Sequence, residues 1–200
     1  MMNKFARTIL AVATAVATAT SLAGCSEDQT AGKEAVAVGG TFSFVSPGGQ
    51  TVITYPESER QPVQSFSGES LMKDGETISL DDYAGQVVVL NAWGQWCGPC
   101  RAEVDDLEAI HERLGGNGTV LGINVRDPQK DAARDFVTDN GVTYPSIYDP
   151  SFRTAAALGG IPATVIPTTI VLDKQHRPAA VFLTEVTTDD LAPIIDELVN

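Results

Sequence analysis

The chain has few cysteine and histidine side chains. Its 200 residues include three cysteines and two histidines, and only Cys97 and Cys100 are closely spaced. A zinc site needs about four ligands, usually as two such pairs. The other candidates, Cys25, His111 and His176, each stand alone in the sequence. The sequence therefore predicts no metal site.

Basic residues are half as numerous as acidic ones, 13 against 26, which gives a net charge of −13. Lys4 and Arg7 are the only charged residues before Cys25, so the rest of the chain is more acidic still. Such a surface repels nucleic-acid phosphates and anionic lipid headgroups. We expect no nucleic-acid partner, and most of the acids are expected only to keep the domain soluble.

The N-terminus lacks a hydrophobic run long enough to span a bilayer comfortably. The uncharged stretch from Thr8 to Gly24 is diluted by hydroxyl side chains, and a spanning helix needs about 20 apolar residues. With its basic start, this stretch predicts an export signal over residues 1–24. The sequence Leu-Ala-Gly before Cys25 resembles the lipobox of bacterial lipoproteins, which implies lipidation of Cys25 and a membrane anchor. Plain secretion and an uncleaved anchor are the alternatives, and all three place the domain outside the cytoplasm.

The rest of the chain divides into three parts. Residues 25–40 are mostly small or polar and predict a tether. Residues 41–62 contain two β-rich runs, TFSFV and TVITY, around a Pro-Gly-Gly turn, which predicts a β-hairpin extension. Residues 63–200 alternate strand-like and helix-like segments, so they predict an α/β layer fold.

Hydrophobic periodicity locates the main elements of residues 63–200. The predicted strands are QVVVLNAW, TVLGINV, TTIVLD and PAAVFLT. Helical spacing relates Val104, Leu107, Ile110 and Leu114, and Gly115 ends that helix. Asp127 is predicted to cap a second helix that ends at Asn140-Gly141. A closing amphipathic helix contains Pro193, which we expect close to its first turn.

The pair Cys97 and Cys100 lies where the first of these strands becomes a helix. Unpaired backbone N–H groups and the helix dipole favour a thiolate at Cys97. Cys100 is one turn further along, where it can attack a mixed disulfide formed on Cys97. Pro99 costs no hydrogen bond at the first helical turn. A structural disulfide would close a very short loop and constrain the unfolded chain little, so redox chemistry is the favoured interpretation.

Several spaced motifs identify a family resemblance over residues 63–200. The segments ISLDDYAGQVVVLNAWGQWCGPCRAE, GINVRD, YPSIYDP and IPTTIVLD resemble the TlpA/ResA group of exported, membrane-attached thiol-disulfide oxidoreductases. The whole chain resembles actinobacterial thioredoxin-like lipoproteins linked to cytochrome c biogenesis. The resemblance implies a thioredoxin fold, in which helices flank a central mixed β-sheet.

The resemblance also implies roles for residues around the dithiol. Cys97 would be the nucleophile and Cys100 the resolving thiol. Ile166-Pro167 would be the cis-proline loop that faces the dithiol and pairs with a substrate peptide. Ile161-Pro162 is a rival for that role, and an ordinary turn is the simpler alternative for either proline. Trp96, Gly98 and Pro99 would form the docking surface beside an exposed Cys97.

Proton handling is where the sequence departs from thioredoxin. Asn91 occupies the position of thioredoxin's buried aspartate and cannot titrate. Glu103, three residues after Cys100, is the expected substitute, because a carboxyl group near a buried sulfur should have a raised pKa and could carry its proton. A solvated surface glutamate is the alternative. Trp93 is expected in the core, and Asp105 replaces a proline that kinks the helix in many relatives.

The expected function is that of a lipid-anchored reductase of disulfides in exported proteins, with no cofactor beyond the Cys97–Cys100 disulfide. The Gly-Pro pair between the cysteines matches the reducing thioredoxin type. The resemblance implies apocytochrome c C-x-x-C-H segments as clients and a membrane thiol carrier as electron donor. The alternatives are an exported oxidase or isomerase, a non-catalytic anchored lipoprotein that senses redox state or holds a partner through Phe42 and Phe44, and, with least support, a peroxidase.

Overall fold

The structure is a computed structural model, and it describes residues 40–200. The predicted export signal, the predicted lipidation site Cys25 and all but the last residue of the predicted tether lie outside the described residues. Within the described residues, none of the helices has the length and apolar character that a membrane span requires.

Residues 40–200 contain a single mixed sheet of eight strands. In chain order the strands are β1 (Val52–Thr54), β2 (Ser67–Ser70), β3 (Thr77–Ser79), β4 (Val87–Trp93), β5 (Gly118–Asn124), β6 (Ser146–Tyr148), β7 (Thr168–Leu172) and β8 (Pro178–Phe182). Their spatial order is β1-β8-β7-β4-β5-β6-β2-β3. β4, β5 and β6 run parallel, and every other neighbouring pair is antiparallel.

The central strands are buried along their whole length. All seven residues of β4 and all seven of β5 are buried, as expected for β-branched runs covered on both faces. Gly118 begins β5 beside β4, where a Cβ atom would lie 2.2 Å from the Val87 carbonyl oxygen. Glycine is therefore required for the close approach of these two strands.

Four helices pack on one face of the sheet: α1 (Gly98–Ala102), α2 (Val104–Leu114), α3 (Lys130–Asp139) and α4 (Thr188–Val199). The apolar stripe predicted for α2 is buried, and it packs with α4 against Val87 and Val89 of β4. α3 packs with Trp93, next to the two cysteines. The α helices thus hold the dithiol region in place from one side.

The opposite face is covered by irregular chain rather than by further α helices. Phe42, Ile53 and Tyr55 from the N-terminal segment pack there with the 3-10 helix Arg153–Leu158. Phe42 meets Tyr55 edge-on, with ring centroids 5.4 Å apart. The mixed sheet with helices confirms the predicted thioredoxin fold.

The predicted hairpin over residues 41–62 is wrong. Its second run, as β1, pairs with β8, while the Phe42 N–H donates to the Pro62 carbonyl and the Phe44 N–H to the Gly159 carbonyl. An isolated two-stranded hairpin is marginal in water, whereas β8 offers an edge of an already buried sheet. Phe42 is consequently a core residue, so it is not free to hold a partner.

Two predicted helix starts also differ from the structure. Asp127 does not cap α3, because its side chain is buried and accepts hydrogen bonds from the Gln95 N–H and the Asn124 amide. α4 begins at Thr188, well before Pro193, because Thr187 and Asp190 form a reciprocal capping box. Pro193 therefore lies inside the helix.

Candidate active site

The dithiol lies at the junction between β4 and α1. Cys97 is the N-cap of α1, and its sulfur accepts a hydrogen bond of 3.2 Å from the Cys100 N–H. Pro99 is in the first turn, where a helix has no use for the missing N–H. The local sequence thus builds a site in which an N–H donor and the helix N-terminus both favour negative charge on Cys97.

The two cysteines form a disulfide with their Cα atoms 5.3 Å apart. Cys97 was expected to be exposed, but both cysteines are only 3% exposed. The disulfide lies in an apolar cluster with Trp93, Val104 and Phe136. Cys97 is buried rather than exposed because these side chains pack around it. Gly98 and Pro99 are exposed, and Trp96 is 45% exposed beside the buried pair.

Ile166 and Pro167 precede β7, and the peptide bond between them is cis. It is the one cis bond among residues 40–200, so the rival Ile161-Pro162 is trans. Ile166 is partly buried against the cluster that contains both cysteines. The fold therefore brings this loop to the dithiol, and its role in client binding stays a prediction.

Glu103 lies between α1 and α2, and its side chain is buried, with 1% exposure. One carboxyl oxygen accepts a hydrogen bond of 2.8 Å from the Asn91 amide, and the other accepts one of 3.0 Å from the Val186 N–H. Burial raises the pKa of Glu103 to about 7, and these two hydrogen bonds partly oppose that shift. The group can therefore gain and lose a proton near neutral pH.

Asn91 links this carboxyl group to the sheet. Its amide also approaches the Thr169 hydroxyl at 3.0 Å, across the β4–β7 ladder. Sequence reasoning missed Thr169 and Val186, which are distant in sequence from Glu103. The register that places Asn91 opposite Thr169 is a property of the folded sheet and left no local signal.

Other predicted residues have structural surroundings. Trp93 is buried, with its ring 5.4 Å from that of Phe136. His111 lies near the Val120 N–H, and His176 near the Tyr83 carbonyl. Although Asp105 replaces the family's proline, α1 and α2 are still separate helices. That no metal or cofactor takes part stays a prediction.

The loop after β5 contributes contacts that sequence reasoning missed. The Val125 carbonyl accepts a hydrogen bond of 3.2 Å from the Trp96 indole, and the Asp127 carboxylate accepts one of 2.9 Å from the Gln95 N–H. This loop therefore fixes the two residues that precede Cys97. The motif GINVRD was the available signal, since it ends in Arg126-Asp127.

The family model described as AhpC/TSA matches residues 60–177. Two similar solved structures come from corynebacteria. A DsbF homologue from Corynebacterium diphtheriae is 66% identical with a TM-score of 0.77, and it covers 80% of this chain and 100% of its own. A secreted thiol-disulfide isomerase from Corynebacterium glutamicum is 62% identical with a TM-score of 0.78, and it covers 80% of this chain and 99% of its own.

A curated relative points to the same chemistry. The thiol-disulfide oxidoreductase ResA of Geobacillus thermodenitrificans is 29% identical over 149 residues, which cover 72% of this chain and 82% of that protein. The matched regions of all three relatives extend over most of the described fold.

Proposed function

We propose, from the premise that this chain belongs to the AhpC/TSA family and is a thioredoxin-fold thiol-disulfide oxidoreductase, that it reduces disulfides in exported proteins. The observation that carries the direction is the Gly98-Pro99 pair between Cys97 and Cys100, which the reducing thioredoxin type shares. The substrates are protein thiols and disulfides.

In the proposed reaction, the Cys97 thiolate attacks one sulfur of a client disulfide. A mixed disulfide forms and the other client sulfur leaves as a thiolate. The Cys100 thiolate then attacks the Cys97 sulfur, which releases the second client thiolate and closes the Cys97–Cys100 disulfide. Two electrons pass to the client. The N–H of Cys100, 3.2 Å from the Cys97 sulfur, supports Cys97 as the attacking group.

Glu103 is the proton carrier in this proposal. Cys100 must lose its proton before it attacks, and it does so among apolar side chains. A carboxyl group with a pKa of about 7 is matched to accept that proton near neutral pH. Asn91 positions the group through the 2.8 Å hydrogen bond.

A second activity, disulfide isomerisation, has its own support. The relative from Corynebacterium glutamicum, 62% identical, is named an isomerase. A reduced isomerase attacks a wrong disulfide through Cys97, and another client thiolate must then displace Cys97 from the mixed disulfide before Cys100 does so. The same dithiol serves either activity, so its redox potential decides between them.

Location and clients are also part of the proposal. The thiol-disulfide isomerase from Corynebacterium glutamicum is described as secreted, which supports export of this chain. We infer that Cys25 is lipidated and holds the domain at the outer face of the cell membrane. The clients would include apocytochrome c C-x-x-C-H segments, and a membrane thiol carrier would supply electrons.

The deciding experiment is the reduction potential of the Cys97/Cys100 couple in the protein, measured by equilibration with defined thiol buffers. A value near about −250 mV or lower is expected for a reductase. A value near about −130 mV would contradict the proposal and favour the oxidase or isomerase. A variant that lacks both cysteines is the control, because it should show no change with the potential of the thiol buffer.

A client assay then separates the remaining possibilities. The reduced protein should convert the disulfide of an apocytochrome c peptide to free thiols. Reactivation of a scrambled disulfide protein without net reduction would instead identify an isomerase.

A further inference from the structure

Most basic side chains of the described chain are neutralised by acidic partners. Residues 40–200 contain ten basic and 23 acidic residues. Six of the ten form salt bridges: Arg60, Lys73, Arg113, Lys130, Arg134 and Arg177. Within residues 40–200 the other four, Arg101, Arg126, Arg153 and Lys174, form none. Two of these four lie beside the dithiol, where an acidic protein presents positive charge.

Arg126 connects the two loops that flank the disulfide. Its guanidinium carbon lies 6.0 Å from the centroid of the Trp96 ring, and one guanidinium nitrogen donates a hydrogen bond to the Ala163 carbonyl. The side chain is exposed, and the backbone adopts a left-handed φ of 55°. Few residues other than glycine adopt this conformation, and in it the Arg126 side chain lies over the Trp96 ring.

Arg101 approaches the loop that contains Gln95 and Trp96 from the side of α1. It follows Cys100 directly, and its guanidinium carbon lies 4.9 Å from the centroid of the Phe136 ring. One of its nitrogens is 3.5 Å from the Gln95 carbonyl, next to Trp96. The side chain is exposed. Like Arg126, it is held over an aromatic ring rather than by a carboxylate.

An arginine stacked on an aromatic ring keeps N–H donors free for a carboxylate and has already lost part of its side-chain entropy. We propose that Arg101, Trp96 and Arg126 form an arginine rim that selects clients with Asp or Glu beside the disulfide. The rim offsets the repulsion that such clients meet from the acidic remainder of the protein. The inference rests on the proposed function, in which reduced Cys97 attacks a client disulfide.

The test compares two peptides with the same internal disulfide, one flanked by Asp and Glu and the other by Ser and Gln. The reduced protein attacks each peptide, and free peptide thiols are followed by mass spectrometry. We expect a preference for the acidic peptide of about tenfold at low salt, falling several-fold between about 20 mM and about 0.3 M salt. This salt effect on the unaltered protein needs no variant.

Variants then assign the preference to the rim. Arg126→Gln and Arg101→Gln should each lower the ratio of the two rates about threefold to fivefold, and Arg126→Lys should retain more of it. The matched control is Lys174→Gln. It removes the same charge from the turn between β7 and β8, at the end of β7 away from the dithiol, and should leave the ratio unchanged.

Three outcomes would overturn the inference. The first is equal rates for both peptides at low salt. The second is a loss in Arg126→Gln that is the same for both peptides, since Arg126 would then only position the Ala163 loop. The third is a fall in the ratio for Lys174→Gln as large as for the rim variants. Exchange with neither peptide would reject the proposed function itself, and the inference with it.

Discussion

The Asn91 amide donates a hydrogen bond of 2.8 Å to the Glu103 carboxyl group, and both side chains are only 1% exposed. The bond joins the middle of β4 to the junction between α1 and α2. A fixed amide dipole thus lies in the strand, and the titratable carboxyl group lies where the two helices meet. The proton-binding group of the site is thereby tied to the strand that presents the dithiol.

The buried carboxyl group should make stability depend on pH. Burial raises the pKa of Glu103 from its ordinary value of 4.5 to about 7 in the folded protein. The unfolded chain therefore releases this proton at lower pH than the folded protein does. Glu103 therefore lowers the free energy of unfolding between about pH 4.5 and 7, by about 3 kcal/mol in total. The loss is complete above pH 7 and absent below 4.5.

The variant Glu103→Gln should remove this contribution, since its amide can pair with Val186 and with a rotated Asn91 amide. Urea unfolding of the oxidised protein at about pH 5 and about pH 8 measures the difference from the unaltered protein. Glu112→Gln, on the exposed side of α2, is the control and should change the pH dependence little. Identical pH profiles for Glu103→Gln and the unaltered protein would contradict the raised pKa.

Removing the Asn91 side-chain amide should change the pKa of Glu103. The hydrogen bond from Asn91 lowers the pKa of Glu103 against the larger effect of burial. Asn91→Ala should therefore raise that pKa above 7 and cost about 2 kcal/mol of stability near pH 8. Carbon NMR titration of labelled glutamate side chains reports the pKa directly. Thr169→Val, which removes only the second partner of Asn91, should shift it less, and a lower pKa in Asn91→Ala would refute the assignment.

The order of attack predicts which cysteine variant traps a client. With Cys100→Ser, the mixed disulfide on Cys97 has no resolving thiol and should accumulate. With Cys97→Ser, accumulation should be at least about tenfold lower, because Cys100 lacks the N-cap position. Non-reducing gels of either variant with an oxidised client measure this. Equal trapping by both would mean that the two sulfurs are interchangeable.

The buried carboxylate of Asp127 should be important for the loop before Cys97. Its 1% exposed side chain accepts hydrogen bonds of 2.9 Å from the Gln95 N–H and 2.7 Å from the Asn124 amide. Asp127→Ala leaves the buried Asn124 amide and the partly buried Gln95 N–H without this partner and should cost about 2–4 kcal/mol. Asp127→Asn keeps one acceptor and should cost less, as measured by denaturant unfolding. A loss below about 0.5 kcal/mol in Asp127→Ala would show that the loop rearranges freely.

Local patterns allowed much of the sheet and helix layer to be predicted. The β-branched run before the dithiol became β4, and helical spacing gave α2 with its end at Gly115. Those predictions rest on side-chain periodicity and termination signals within a few residues. The α3 start at Asp127 failed because the carboxylate found buried partners outside its own helix.

The sequence alone determined the order of the chemistry: a strand, a cysteine at a helix start, a second cysteine one turn later and an acid three residues beyond it. Only the tertiary structure decided what surrounds them. β1 pairs with β8 instead of with the TFSFV run that precedes it in the chain. The Val186 N–H donates to Glu103, which is 83 residues away, and Arg126 donates to the Ala163 carbonyl in the loop before Pro167. Contacts of that separation depend on strand register and on which surfaces are left to bury, and both are properties of the assembled sheet.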